Sequence, residues 1–454
     1  MITAVSLLVI VAGLIICSFM GFPALYPLTA GIILLCLVTL YHKVEFKVLW
    51  RMLLLDIKLP LNSLYVFLAI GAITASWRAS GTIAMIIYYG ARLIDPQWFI
   101  PCCFWLTALM SLLLGTAFGA TGTVGLTLIV MAKAAGVNLP LAAGAIISGA
   151  FVGDVCSPMS SSTNLVAIMT KSSIHRLIAR LMKQALLPFA LASLLFILLS
   201  RQEAAPVIES SLIEEMGRAF VMSPWVLLPA AVVLLLILCK VKISRAITAS
   251  CLVAAFAAWL IQGQPPAGVL RSIVFGYSMG EGAALKTVMD GGGIMSMAYS
   301  EMILLVSALY SGLFKGTGML NPIKNLIRQV AQKASRAVGV TLAALITCLF
   351  APSQVFAMMV TNQFAADLYD QEMEKERELL AFGIASTAMM FSPLVPWNIC
   401  STVPAAMLGV GPEYIPLSFY PLLFPACYAF SGWLKWRKTI DHTLKRSHAG
   451  VDHS

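Results

Sequence analysis

Long apolar runs dominate the chain, and a few short polar runs interrupt them. Apolar stretches at 3–19, 24–41, 185–199, 225–239 and 246–261 each come close to the ~17–25 residues that a membrane-spanning helix needs. With the weaker runs between them, the pattern predicts roughly ten to twelve passages. The interruptions carry the chemistry. Gly153-Asp154-Val155-Cys156-Ser157-Pro158-Met159-Ser160-Ser161-Ser162-Thr163-Asn164 places one carboxylate among hydroxyls and amides. Upstream, Gly115-Thr116-Ala117-Phe118-Gly119-Ala120-Thr121-Gly122-Thr123-Val124-Gly125 mixes small residues with hydroxyls in the same way. Unpaired polar groups are costly in hydrocarbon, so neither run can face lipid. Both are expected to line a wet cavity enclosed by protein, as part of a transporter's substrate site.

The composition fits this picture. Of 454 residues, 60% are hydrophobic and 11% are charged, against about 25% charged in a soluble domain. The chain reads as one integral membrane unit with the lipid bilayer around it. Its formal net charge of +10 sits at loop positions beside apolar spans, which is the bias of cytoplasmic loops and not a nucleic-acid surface. The ten cysteines show no metal-like pair spacing. All five histidines, His42, His175, His442, His448 and His453, fall in loops or the tail. No buried histidine is therefore expected for a metal cluster or for Ser-His catalysis, and an enzyme is not expected. Gly291-Gly292-Gly293 lacks the lysine of a phosphate loop and reads as a flexible helix entry. No resident cofactor is expected.

Basic clusters orient the chain. His42, Lys43, Lys47, Arg51 and Lys58 place the N-terminus in the cytoplasm, and Lys171, His175, Arg176, Arg180 and Lys183 return the chain there. Arg78 reads as a snorkelling interface residue. The segment 201–222, with Glu203, Glu209, Glu214 and Glu215, reads as an external surface loop with room for a short helix. Lys315, Lys324, Arg328, Lys333 and Arg336 read as internal, and the net acidic 370–378 as external. The expected organisation is a first transmembrane repeat at 1–200, a connecting segment at 201–244, a second repeat at 245–436 and a basic cytoplasmic tail at 437–454.

The repeat shows as a shared offset. Ser392-Pro393 follows Ser157-Pro158 by 235 residues (392 minus 157), and Gly316-Thr317 follows Gly81-Thr82 by the same number (316 minus 81). The polar stretch 350–369 then falls opposite 115–134. Adding 235 to the basic segment 42–58 gives 277–293, where Glu281 and Asp290 stand against Lys286 alone. Corresponding loops of opposite charge character are expected when two halves sit upside down to each other. The fold class that follows is an all-α polytopic membrane protein with two inverted-topology repeats, discontinuous helices and re-entrant hairpins.

Ser157-Pro158 and Ser392-Pro393 should each break a helix, because proline removes a backbone donor and clashes one turn back. A break at membrane depth frees carbonyls and a half-helix N-terminus for ion binding. Asp154 is the most consequential residue. Burial disfavours the charged form of a carboxylate, which lets it exchange a proton for a metal cation near neutral pH. Ser157, Ser160, Thr163 and Asn164 supply further oxygens, with Asp154, Thr163 and Asn164 as the metal-ligand set and some of the hydroxyls serving backbone groups instead. Thr121, Thr123, Thr361, Asn362, Ser392 and Asn398 complete the expected site. Asp290, Asp367, Glu281 and Glu301 are weaker candidates.

At these residues the chain resembles the NhaC family of sodium/proton antiporters, within the ion-transporter superfamily of inverted-repeat carriers. The resemblance covers most of the chain and rests on 115–125, on Ser148-Gly149-Ala150-Phe151-Val152-Gly153-Asp154 through Asn164, and on 392–398 followed by Leu408-Gly409-Val410. It implies cation-coupled exchange by alternating access in the cell membrane, with sodium as the transported cation and the two Ser-Pro segments near the transport site. Two departures stand out. The family usually has an aspartate and a lysine where this chain has Ser161 and Val155, and an acidic pair near Ala385-Ser386. Fewer carboxylates lower the negative charge available to sodium. The alternative is a cation- or proton-coupled carrier of a small organic solute, an organic acid or amino acid. A homodimer is an arrangement the sequence leaves open.

Overall fold

The computed structural model describes residues 25–54, 58–93, 96–201, 210–239, 241, 243–279, 285–298, 321–351 and 353–449, with single positions at 9, 12, 13, 17, 302, 305, 306, 309, 310 and 313. The described residues are almost wholly helical, with one isolated bridge between Tyr277 and Gly291. In chain order the helices are α1 Leu25–Tyr41, α2 Phe46–Leu54, α3 Lys58–Ala79, α4 Thr82–Leu93, α5 Phe99–Leu114, α6 Ala117–Ala134, α7 Leu139–Cys156, α8 Ser161–Met169 and α9 Ile174–Ser200. After these come α10 Ser210–Ala219, α11 Leu228–Leu238, α12 Ile243–Leu260, α13 Pro266–Phe275, α14 Asn321–Lys333, α15 Arg336–Phe350, α16 Gln354–Ala365, α17 Glu374–Phe391, α18 Ile399–Leu408 and α19 Phe419–Ala449.

Three described helices, α6, α7 and α9, are long and apolar enough to cross a membrane. Two bent pairs add to them: 68–79 with 82–89, at 68°, and 374–394 with 399–408, at 48°. The apolar run at 185–199 lies within α9, and 24–41 and 246–261 match α1 and α12; 3–19 lies outside the described residues apart from single positions. Leu186, Leu187 and Leu194 of α9, Leu109 and Leu113 of α5 and Phe256 of α12 are exposed. Rows of exposed leucine and phenylalanine on helix backs suit lipid, and the chain is an all-α membrane protein.

The core is built on breaks. Helix α7 stops at Cys156, and the chain resumes as α8 after Ser157-Pro158. Helix α17 stops at Phe391, passes through a turn at Ser392–Leu394 and resumes as α18. Both stops fall where the Ser-Pro pairs predict them. Helices α7 and α17 are each 18 residues long and begin 235 residues apart (374 minus 139). Two hairpin tips meet these breaks. Gly115, in the left-handed region at φ 67°, turns α5 into α6. A Cβ there would lie 2.6 Å from the Met159 carbonyl carbon, so the tip rests directly on the α7–α8 break. Helix α15 ends at Phe350 and α16 begins at Gln354, forming a second hairpin, and Arg336 Nη1 donates to Leu368 O at 3.5 Å, joining the start of α15 to the turn just past α16. This second tip meets the α17–α18 break: Asn398 Nδ2 donates to Ala351 O at 3.0 Å and Trp397 Nε1 to Leu349 O at 3.0 Å.

Ion pairs bring 370–378, read as external, together with segments read as internal. Arg176 pairs with Glu374 and, at 2.7 Å, with Glu378, while Arg336 pairs with Glu376. Lys324 lies 3.6 Å from Asp367. The acidic stretch therefore shares one end of the molecule with the basic segments read as internal. Charge bias assigns sides only to unpaired charge, and these carboxylates are neutralised by partners distant in sequence. The short helix allowed for in 201–222 is α10. The triple glycine does enter a helical turn, Ile294–Met297, but it is held in place: Gly293 N–H donates to Gly71 O at 2.8 Å, which clamps the loop on α3.

Close packing of α5 on α7 depends on Gly153, where a Cβ would coincide with the Ser111 carbonyl. Gly153→Val should lower the stability of the purified protein by at least about 1–3 kcal/mol through overpacking, measured as a fall in melting temperature. Gly217→Ala, on α10 with nothing within 4 Å of the new Cβ, should leave melting unchanged or slightly raised.

Candidate functional site

Asp154 sits in the last turn of α7, just before the break, and is 5% exposed. Its Oδ2 accepts from Gln354 Nε2 at 3.0 Å and its Oδ1 from Ser162 Oγ at 3.4 Å. The Ala117 backbone N–H, at the first hairpin tip, also faces the carboxylate. Gln354 opens α16 beside the second tip. Its Oε1 accepts from Ser162 Oγ at 3.1 Å, and its Nε2 also reaches Met389 O at 3.3 Å on α17. Asp154, Ser162 and Gln354 thus close a triangle across 200 residues of sequence, with both hairpin tips and both broken helices in contact with it. Two acids are buried among the described residues, Asp154 and Glu378. Glu378 has Arg176 as its ion-pair partner; Asp154 has hydrogen-bond donors and no basic side chain beside it.

The other expected residues divide by task. Ser157 Oγ donates to Leu112 O at 2.8 Å and accepts from Met159 N–H at 3.2 Å. Ser160 caps α8, accepting from Thr163 N–H at 3.1 Å, and its Oγ donates to Asp154 O. Thr163 Oγ1 donates to Asp154 O at 3.1 Å and Val155 O at 3.0 Å, and Asn164 Nδ2 donates to Ser160 O at 2.6 Å. A helix end leaves four carbonyls without intrahelical partners; in a membrane these hydroxyls replace the water that would otherwise satisfy them. Thr121 and Thr123 are buried on a π-helical turn at Thr121–Gly125 and donate to Ala117 O at 2.9 Å and Gly119 O at 2.6 Å. In the second half, Ser392 Oγ donates to Ala388 O at 2.8 Å, Thr361 Oγ1 lies 2.7 Å from Thr347 Oγ1, and Asn398 caps α18 through Cys400 N–H at 2.9 Å. Asn362 is half-buried on α16. Asp367 is exposed and paired with Lys324, Asp290 lies in another cavity, and Glu281 and Glu301 lie outside the described residues.

Gln354 and Ser162 touch the carboxylate and were not among the expected site residues. Gln354 did carry a signal, since it is the first polar side chain after Pro352-Ser353 within the stretch opposite 115–134. Its pairing with Asp154 carried none. Chemically the cluster offers a carboxylate, an amide oxygen and a hydroxyl, the hard-oxygen set that suits a small inorganic cation.

Broken helices around a buried carboxylate that has no basic side chain beside it among the described residues define the class: an all-α membrane protein with discontinuous helices. Comparison with known proteins places it further. The chain belongs to the Na+/H+ antiporter family, whose family model matches residues 149–433, a stretch containing Asp154, Ser162, Gln354 and both Ser-Pro breaks. It is 26% identical over 419 residues to the malate-2H(+)/Na(+)-lactate antiporter of Bacillus subtilis, covering 89% of this chain and 88% of that protein. It is 25% identical over 430 residues to the Na(+)/H(+) antiporter NhaC of the same organism, covering 90% and 92%. With the arginine/ornithine antiporter ArcD of Halobacterium salinarum it shares 25% identity over 408 residues, covering 86% and 83%. These relatives are antiporters, not enzymes.

The triangle is testable by a double-mutant cycle. Gln354→Leu strips Asp154 of a charge-assisted hydrogen bond, whereas in Asp154→Asn the charge is already gone. The two substitutions should couple by about 1.5–3 kcal/mol in chemical or thermal unfolding. Additive losses would mean that the two side chains do not meet.

Proposed function

We propose that the protein exchanges sodium for protons by alternating access, with Asp154 as the group that holds either the proton or the cation. One observation carries the reading: among the described residues, Asp154 is the buried acid with no basic partner. Fixed in an enclosed site, a lone carboxylate must be neutralised by something mobile. A proton or a sodium ion does this equally well, and competition between them for one site couples their movements. Gln354 suits the exchange. Its amide donates to Asp154 through Nε2, and turning the amide over presents Oε1 to a cation instead. Ser162 and the oxygens of Thr163 and Asn164 lie within the same break and complete the proposed ligand set, with Thr121, Thr123, Thr361, Asn362, Ser157, Ser160, Ser392 and Asn398 around it.

Two inverted repeats with re-entrant hairpins are proposed as the machinery, at 1–200 and 245–436, joined by 201–244 and followed by the tail at 437–454. Support comes from the ends of the broken helices. The α9 start, which follows α8, pairs with the α17 start through Arg176 and Glu374. At the other end of the molecule, Gly409 after α18 lines a cavity with Leu139 at the α7 start. Each half therefore delivers its second half-helix beside the entry of the other half's first, the relation expected of helices that approach the midplane from opposite sides. The basic residues around Arg176 would then mark the cytoplasmic side, with both termini there, in the cell membrane. A homodimer within the bilayer is compatible with the exposed apolar helix faces.

A second reading, exchange of a small organic solute against cations, is favoured by the names of the malate/lactate and arginine/ornithine relatives. Reconstituted vesicles with an internal pH-sensitive dye and an imposed proton gradient separate the two. Added sodium should move protons in wild type, and Asp154→Asn should abolish the response. If folded wild type responds to none of sodium, lithium or potassium, the cation/proton reading is wrong.

A further inference from the structure

A polar cavity lies at the far end of α18 from the Asp154 site. Helix α18, of 10 residues, is about 15 Å long. Asn398 at its start belongs to the break near Asp154, and Gly409 past its end lines a cavity of about 420 Å³ with Arg78, Lys133, Asp290 and Ser296. That volume lies within the range of small-molecule sites. The sequence reading of Arg78 as a snorkel fails here. Its side chain is half-buried; Nη1 donates to Thr74 O at 3.2 Å, and Nε is buried without a hydrogen-bond partner. Asp290, the acid in the cavity, is engaged elsewhere: Oδ1 accepts from Met279 N–H at 2.7 Å and Oδ2 from Ser278 Oγ at 3.2 Å. The triple-glycine loop holds Asp290 in place, because Gly291, Gly292 and Gly293 all have positive φ and a Cβ at Gly292 would strike Thr74 at 2.6 Å.

We propose that this cavity binds a small organic carboxylate, with Arg78 as the principal ligand and Lys133 as the second. Among the described residues, two cations face one carboxylate already committed to loop hydrogen bonds, which leaves one positive charge and a guanidinium N–H with no acceptor. A planar guanidinium matches a carboxylate geometrically, and in a partly dry site the charge-assisted bond is strong. A metal cation is the wrong ligand here, since Arg78 and Lys133 repel it. The inference rests on the carrier reading but not on Asp154, which lies outside this cavity.

The test is calorimetric titration of the full-length protein in zwitterionic-lipid nanodiscs with L-lactate and succinate, using lactamide as the uncharged control. Wild type should bind at least one of the acids and not lactamide. Arg78→Gln should weaken binding by about tenfold or more, Arg78→Lys by less. Asp154→Asn should bind the acid as wild type does, which separates this site from the proposed cation site. Lys133 is exposed, so Lys133→Gln should fold and also bind more weakly; it decides the matter if Arg78→Gln does not fold. The proposal is overturned if wild type that responds to sodium binds neither acid, or if Arg78→Gln and Lys133→Gln both bind like wild type.

Discussion

The contact between Asp154 and Gln354 is the constraint on which the rest of this architecture depends. A carboxylate inside a membrane protein needs donors, and the structure supplies them from three separate elements. Ser162 comes from the half-helix after the first break, the Ala117 N–H from the first hairpin tip, and Gln354 from the second. Separating the halves would leave a buried charged or polar group without partners, a loss larger than that of an ordinary hydrogen bond. On the proposed mechanism the same contact would make the site responsive: Gln354 would serve Asp154 as donor or a cation as acceptor, so a change in what neutralises Asp154 would be felt on α16 and α17.

The surrounding hydroxyls follow from the cost of interrupting a helix in hydrocarbon. Ser160 and Thr163 spend their donors on the Asp154 and Val155 carbonyls released by the first break, Ser157 donates to Leu112 O near the end of α5, and Asn398 donates to Ala351 O just past the end of α15. Their remaining lone pairs would be the ones a cation uses in the proposed mechanism, so that helix discontinuity and site polarity would be one feature.

The membrane class, the two Ser-Pro breaks and the burial of Asp154 were legible in the sequence, because each rests on a local rule. Apolar run length, proline chemistry and the isolation of one acid among apolar residues need no knowledge of distant contacts. What was not legible depends on such contacts. Gln354 looked like one polar residue among several in 350–369 until the fold set it against Asp154. Residues 370–378 read as an external acidic segment because their partners, Arg176 and Arg336, are far away in sequence. Arg78 looked interfacial for the same reason, since the glycine loop that closes its cavity arrives from more than two hundred positions later. A polar or charged side chain is interpreted by its neighbours, and here those neighbours lie far away in sequence.

The central claim is that one carboxylate accepts either a proton or a sodium ion. The most direct measurement counts protons released when sodium binds, by titrating detergent-solubilised protein with sodium in buffers of different ionisation enthalpy, at a pH where Asp154 is largely protonated. Linkage through a single shared group predicts a release approaching about one proton per sodium bound in wild type, and none with Asp154→Asn. Sodium binding without proton release, or a release unchanged by Asp154→Asn, would contradict the account.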